Sequence, residues 1–121
     1  MRTTVWINLT ELDHKFAGRR PLIKKLMETF LKTYNNFIPA MREKCTAGDE
    51  KALLVEFHSL KGAAGSLGAV RLHGLTEQLE KQIKLQTLSF QDALNELETI
   101  WPAVLEDTET VLRELETNKL T

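Results

Sequence analysis

The sequence has little of what builds covalently linked or metal-held folds. It contains a single cysteine, Cys45, among its 121 residues. One thiol cannot form a disulfide within the chain, and without a Cys-x-x-Cys pair it cannot build a thiolate zinc cluster. No two of the three histidines, His14, His58 and His73, stand four residues apart, as a helical metal site requires. A metal or enzyme site is therefore the weaker interpretation, and we expect no cofactor in this domain.

Long apolar runs and an excess of one charge are also missing. The longest uninterrupted apolar runs are only a few residues, too short for a signal peptide or a membrane span. With 16 basic and 17 acidic side chains the formal net charge is −1, which gives little electrostatic reason to expect nucleic-acid binding. No Walker pattern or other nucleotide-binding loop is present. We expect a cytoplasmic domain that contacts neither nucleic acid nor membrane and does not use ATP itself.

What the sequence does contain is helical periodicity along almost its whole length. Asn8-x-x-Glu11 is typical of a capping box that opens a short first helix, after a lead-in segment over residues 1–7 that packs on the bundle. Pro21 suits the first position of a second helix. Pro39 should kink or break that helix, because it lacks a backbone donor and crowds the carbonyl four residues earlier.

Caps and glycines delimit the remaining helices. A third helix is predicted over about 50–67, with Asp49 as its cap, and a fourth over about 71–84. Ser89 is the expected cap of the last helix. Short connections make consecutive helices antiparallel neighbours. The prediction is an all-α fold, an antiparallel up-and-down four-helix bundle with a short extra N-terminal helix. It forms one domain over residues 1–121, helical from about 8 to 118.

One segment of the third helix does not fit a purely structural role. On a helical wheel, His58 lies about 140° from the core residue Leu53, outside the apolar face. With His58, the following residues, all within about 60° of it, form what we call the His58 patch: Leu54, Lys61, Gly62 and Gly65. An interior helix glycine costs about 1 kcal/mol relative to alanine, and these two glycines do not face the core. They leave the imidazole uncovered, so that the backbone of another protein can approach it.

Three short motifs resemble the signature of histidine-containing phosphotransfer (HPt) domains of bacterial two-component phosphorelays: His58-x-x-Lys61-Gly62, Gly68-Ala69 and Leu79-Glu80. The resemblance implies that His58 carries a phosphoryl group on Nε2. It also implies that aspartates of response-regulator receiver domains are donor and acceptor. Lys61 would offset the charge of the phosphoryl oxygens, Mg²⁺ would be bound by the receiver, and the domain would have no autokinase activity.

The ring of such a carrier needs a hydrogen-bond acceptor at Nδ1, so that the lone pair stands on Nε2. Reflecting His58 through the turn near Gly68 leads to Glu80, at the border of the leucine stripe of the fourth helix. We predict Glu80 as the orienting residue, with Gln78 as the alternative and Glu77 facing solvent. An exposed Glu80 in an ordinary salt bridge is the competing interpretation.

Partner contacts are predicted at Leu54, Gly62 and Gly65, with parts of the first two helices alongside. A different class of function also remains open, a helical protein-interaction module without phosphotransfer, which His58→Gln would leave intact. The resemblance leaves three settings open: a free-standing relay protein, the N-terminal domain of a chemotaxis-type kinase, and the C-terminal domain of a hybrid sensor kinase tethered to the inner membrane. Frequency within the family favours the hybrid kinase, and we expect a monomer.

Overall fold

The computed structural model describes residues 6–118, and this part of the chain is all-helical, as predicted. Residues 1–5, most of the predicted lead-in, and residues 119–121 lie outside the described residues. Six helices follow one another between them: α1 (Leu9–Lys15), α2 (Arg20–Tyr34), α3 (Phe37–Thr46), α4 (Glu50–Ser66), α5 (Val70–Lys84) and α6 (Phe90–Asn118).

The helix ends follow from local sequence. The side chains of Asn8, Asp49 and Ser89 each accept a hydrogen bond from the backbone N–H three residues later, at 3.2, 3.1 and 3.1 Å. Each satisfies one of the N–H groups that a helix start leaves without a partner. Gly68, in the turn after α4, has a φ of +69°, a left-handed conformation that a side chain would strain. This tight turn brings α5 back along α4, and the two helices form the most extensive helix pair of the fold.

The predicted second helix is two helices, with the break before Pro39 rather than at it. α2 ends at Tyr34, and α3 begins at Phe37. Pro39 thereby becomes the third residue of α3. A backbone N–H at that position has no acceptor within the helix, so the missing N–H of proline costs no helical hydrogen bond. Breaking the helix ahead of the proline also removes the clash with the carbonyl of Asn35.

One hydrophobic core joins the helices. α2 and α3 pack against α6, and α3 also contacts α4. From α4 the residues Phe57, Leu60 and Ala64 are fully buried, at the spacing of a single helix face. Among the described residues every buried side-chain nitrogen or oxygen has a hydrogen-bond partner. None of the helices in residues 6–118 is both long and apolar enough to cross a membrane.

The described end of the lead-in packs on the bundle. Trp6 and Ile7 are buried. The backbone N–H of Trp6 donates to the buried carboxylate of Asp107 in α6, at 2.7 Å. The Arg71 guanidinium of α5 lies 4.4 Å from the centre of the Trp6 ring. These contacts fix the start of α1 against the last two helices.

Candidate functional site

His58 lies in the middle of α4 and points away from the core. Its side chain is 69% exposed, whereas the neighbouring Phe57 is fully buried. Because successive residues of a helix are about 100° apart, a residue that follows a core phenylalanine is turned towards solvent. The ring is therefore accessible to a second protein along one side.

The other side of the ring faces a buried carboxylate. Glu80 of α5 is 4% exposed, and its Oε2 lies 3.3 Å from His58 Nδ1. The tight α4–α5 turn sets this register, since His58 and Glu80 stand at similar distances before and after Gly68. In the tautomer with the proton on Nδ1, that N–H donates to Glu80 and the lone pair of the ring stands on Nε2.

Two lysines converge on the same carboxylate. Lys61 Nζ donates to Glu80 Oε1 at 3.0 Å, and its side chain is 24% exposed. Lys84, one turn after Glu80 on α5, places its Nζ 3.5 Å from Oε2, and its side chain is 59% exposed. With two ammonium groups and one carboxylate, Lys61, Lys84 and Glu80 together carry one positive charge.

The lysines keep the Glu80 carboxyl ionised. Burial raises the pKa of Glu80, but the hydrogen bond and charge of Lys61 lower it, and the charges of Lys84 and His58 lower it further. The net result is a pKa below the ordinary value. A buried carboxylate without partners would instead tend to be protonated. Glu80 therefore presents a negative acceptor to the ring across the neutral pH range.

The two glycines of the His58 patch have different surroundings. A methyl group added at Gly62 would meet nothing within 4 Å, so the surface beside His58 is open there. A methyl added at Gly65 would lie 3.2 Å from Cδ2 of His73, a residue of α5. Gly65 therefore accommodates the His73 ring, and the expectation that both glycines leave the surface uncovered is met only by Gly62.

Two apolar residues that precede His58 on α4, Leu54 and Val55, differ in exposure. Leu54 is half-buried, because it packs against the core, while Val55, which was not among the predicted contact residues, is 57% exposed. Both lie about one turn before His58. An apolar residue at i−3 from the histidine was the available sequence signal for Val55.

The other sequence candidates lie outside this cluster. Gln78, the alternative orienting residue, is exposed. Glu77 also faces solvent, and its Oε2 lies 3.7 Å from Nδ1 of His73. The Cys45 thiol is 3.6 Å from the Gln91 side-chain oxygen. Across residues 6–118, no three His, Cys, Asp or Glu side chains come together in a way that could hold a metal ion.

Lys84 is the member of the cluster that sequence reasoning missed. Glu80 and Lys84 have the i, i+4 spacing at which opposite charges pair on a helix, so a signal was present. It carried no weight in the sequence, because such pairs are common on solvated helix faces. Its meaning depends on Glu80 being buried next to His58.

The cluster can perform one kind of chemistry well. It presents an accessible imidazole nitrogen, holds the opposite ring nitrogen against a carboxylate, and supplies positive charge nearby. These are the requirements of a nucleophile that accepts and releases an anionic group.

A comparison with protein-family models matches residues 25–117 to the Hpt domain. The match covers most of the chain, which therefore belongs to the HPt domain family, the phosphocarrier modules of two-component phosphorelays that interact with response-regulator receiver domains. A search of curated proteins and a search of solved structures found no significant match. The matched segment contains the whole cluster around His58 and begins within α2. Helix α1 and Trp6, which packs against α5 and α6, lie outside it.

Proposed function

We propose that this chain carries a phosphoryl group on Nε2 of His58 in a multistep His–Asp phosphorelay. The observation that carries the proposal is the pairing of an exposed imidazole with a buried, ionised Glu80 at Nδ1. That pairing favours the tautomer in which Nε2 is the nucleophile. Glu80 is then a positioning residue, acting through the ring.

The transfer step is an in-line displacement at phosphorus. The Nε2 lone pair attacks the phosphorus of a receiver aspartyl phosphate, the P–O bond to the aspartate breaks, and the carboxylate leaves with that electron pair. Nδ1 keeps its proton, so the phosphorylated ring is an imidazolium facing the Glu80 carboxylate. Donation to a second receiver is the same step in reverse. Lys61 offsets the phosphoryl charge from its position on Glu80.

In this proposal the partner docks over the His58 patch. Gly62 allows its backbone to come close to the ring, Leu54 and Val55 offer apolar contact, and Gly65 contributes through the His73 ring that it accommodates. The receiver supplies the acceptor aspartate and the Mg²⁺. The domain itself supplies no nucleotide site and no autokinase activity.

The scaffold of the proposed carrier is an antiparallel up-and-down bundle in which α2 and α3 together form one arm, and α4, α5 and α6 form the other three. We infer that it works as one monomeric domain in the cytoplasm. The C-terminal region of a hybrid sensor kinase is the setting that family frequency favours.

The test is incubation of the 121-residue chain with phosphorylated receiver domains. An acid-labile, alkali-stable phosphoryl group should appear on the chain and be absent from His58→Gln. His73→Gln is the matched control, because it removes a neighbouring imidazole of α5 and should still accept the group. If several receivers leave the wild type unlabelled, or if His58→Gln is labelled as well, the proposal is wrong.

A further inference from the structure

The two lysines on Glu80 are held unequally. Lys61 makes a 3.0 Å hydrogen bond to Oε1 and is largely covered. Lys84 stands 3.5 Å from Oε2, with its side chain 59% exposed. A short bond in partly buried surroundings is harder to break than a longer ion pair in contact with water, where solvent screens the charges. Lys84 is therefore the lysine that can leave Glu80 at lower cost.

Lys84 also shares its carboxylate oxygen, Glu80 Oε2, with another donor. Oε2 faces both Lys84 Nζ and His58 Nδ1, whereas Oε1 faces Lys61. When the ring is phosphorylated it becomes an imidazolium, and its N–H then competes for Oε2 as a charged donor. At the same time a phosphoryl dianion, with three strong acceptor oxygens, stands on the same ring. Lys84 Nζ and His58 Nδ1 lie 3.5 and 3.3 Å from the one oxygen Oε2, so this long side chain starts next to the ring.

We propose that Lys84 is the lysine that turns from Glu80 to bind the phosphoryl oxygens on His58, while Lys61 stays on Glu80. This inference rests on the proposed function of His58. It divides two roles between two lysines: Lys84 contacts the phosphoryl group directly, and Lys61 is a positioning residue that keeps the carboxylate against the ring.

The experiment uses phosphoramidate as a small phosphoryl donor, so that receiver docking plays no part. Nε2 attacks phosphorus, the P–N bond of the protonated donor breaks, and ammonia leaves, while Nδ1 keeps its proton. Lys84→Met keeps the apolar stem and removes the charge. Lys81→Met is the matched control, since Lys81 is an exposed lysine of the same helix that is not among the described contacts of Glu80.

Two measurements separate the roles of the lysines. Lys84→Met should slow phosphoryl uptake and shorten the lifetime of phosphohistidine by about threefold to tenfold, and it should move the ¹⁵N shifts of the unphosphorylated ring less than Lys61→Met does. Lys61→Met should move those ring shifts, because Glu80 loses its nearer partner. Lys81→Met should match the wild type in both measurements, and Lys84→Arg should restore most of the uptake.

The outcomes distinguish this inference from the function on which it rests. If the wild type takes up the phosphoryl group and Lys84→Met behaves like Lys81→Met, the inference is overturned and the carrier function stands. Ring shifts that change with Lys84→Met but not with Lys61→Met would reverse the assigned roles and also overturn it. If the wild type is not labelled at His58, both the function and the inference fail.

Discussion

Gly62→Ala should make the domain more stable and a worse phosphoryl carrier. Gly62 lies in the interior of α4, and a methyl group added there meets nothing within 4 Å. Only the backbone term then remains, and replacing an interior helix glycine by alanine stabilises a protein by about 0.5–1 kcal/mol. For 121 residues the entropy of unfolding is about 0.25 kcal/mol/K, so Tm should rise by about 2–4 °C.

The same methyl group should hinder the partner. It lies one turn from His58, where the docked receiver comes close to the ring in the proposed function. Overfilling a tight contact costs about 1–3 kcal/mol, which corresponds to at least about a fivefold loss in kcat/KM for transfer from a phosphorylated receiver. Thermal unfolding followed by circular dichroism and a rapid-quench transfer assay measure the two effects on the same preparation.

Gly74→Ala is the matched control. Gly74 is also an exposed, interior helix glycine with open space around an added methyl, but it lies on α5, about 120° around that helix from Glu80. It should gain the same stability with no loss of transfer. If Gly62→Ala transfers as fast as Gly74→Ala, the glycine does not serve partner approach and the reasoning is refuted.

Three further predictions concern the stability of the site and its scaffold. The folded pKa of Glu80 lies below the ordinary 4.5, so its ionised form stabilises the fold fully above that pH, and this contribution is lost as the pH falls through the folded value. The unfolding free energy of the wild type in urea, relative to Glu80→Gln, should therefore decrease below about pH 4.5; a difference that is constant with pH would contradict the lowered pKa. Asp49→Ala removes the 3.1 Å cap of α4 and should cost about 1 kcal/mol by urea denaturation, whereas Asp49→Asn should cost much less. Leu60→Ala, at a fully buried position of α4, should cost about 2–5 kcal/mol, and a loss below 1 kcal/mol would mean that this face is not core.

Much of the fold could be predicted because it depends on near neighbours in the chain. The caps at Asn8, Asp49 and Ser89 act over three residues, and the turn at Gly68 over about four. A kink or break was predicted at Pro39, whereas the structure has the break a few residues earlier. A proline indicates that a continuous helix is disfavoured there, but it does not fix the residue at which the helix ends. In the structure the break lies between Tyr34 and Phe37, whose rings pack with their centres 5.6 Å apart.

The candidate site divides in the same way. The outward direction of His58 follows from the 3.6-residue period of a single helix, and with it the positions of Lys61 and Gly62. The partner of the ring could be predicted to lie in the part of the next helix that contains Glu80. Helical periodicity, however, placed Glu80 only at the border of the apolar stripe and did not show that it is buried. Its burial depends on how far α5 is rotated towards α4, and helix rotation is set by packing.

What the sequence alone determined is therefore the helical class, the helix ends marked by a capping side chain or by Gly68, and the exposed His58 with its neighbours on α4, since each depends on contacts within a few residues. Only the tertiary structure decided that Glu80 is the buried partner of the ring, that Lys61 and Lys84 both bind it, and that His73 lies over Gly65. These contacts join two helices across a turn. Their register and rotation result from side chains interlocking throughout the core, which no single stretch of sequence encodes.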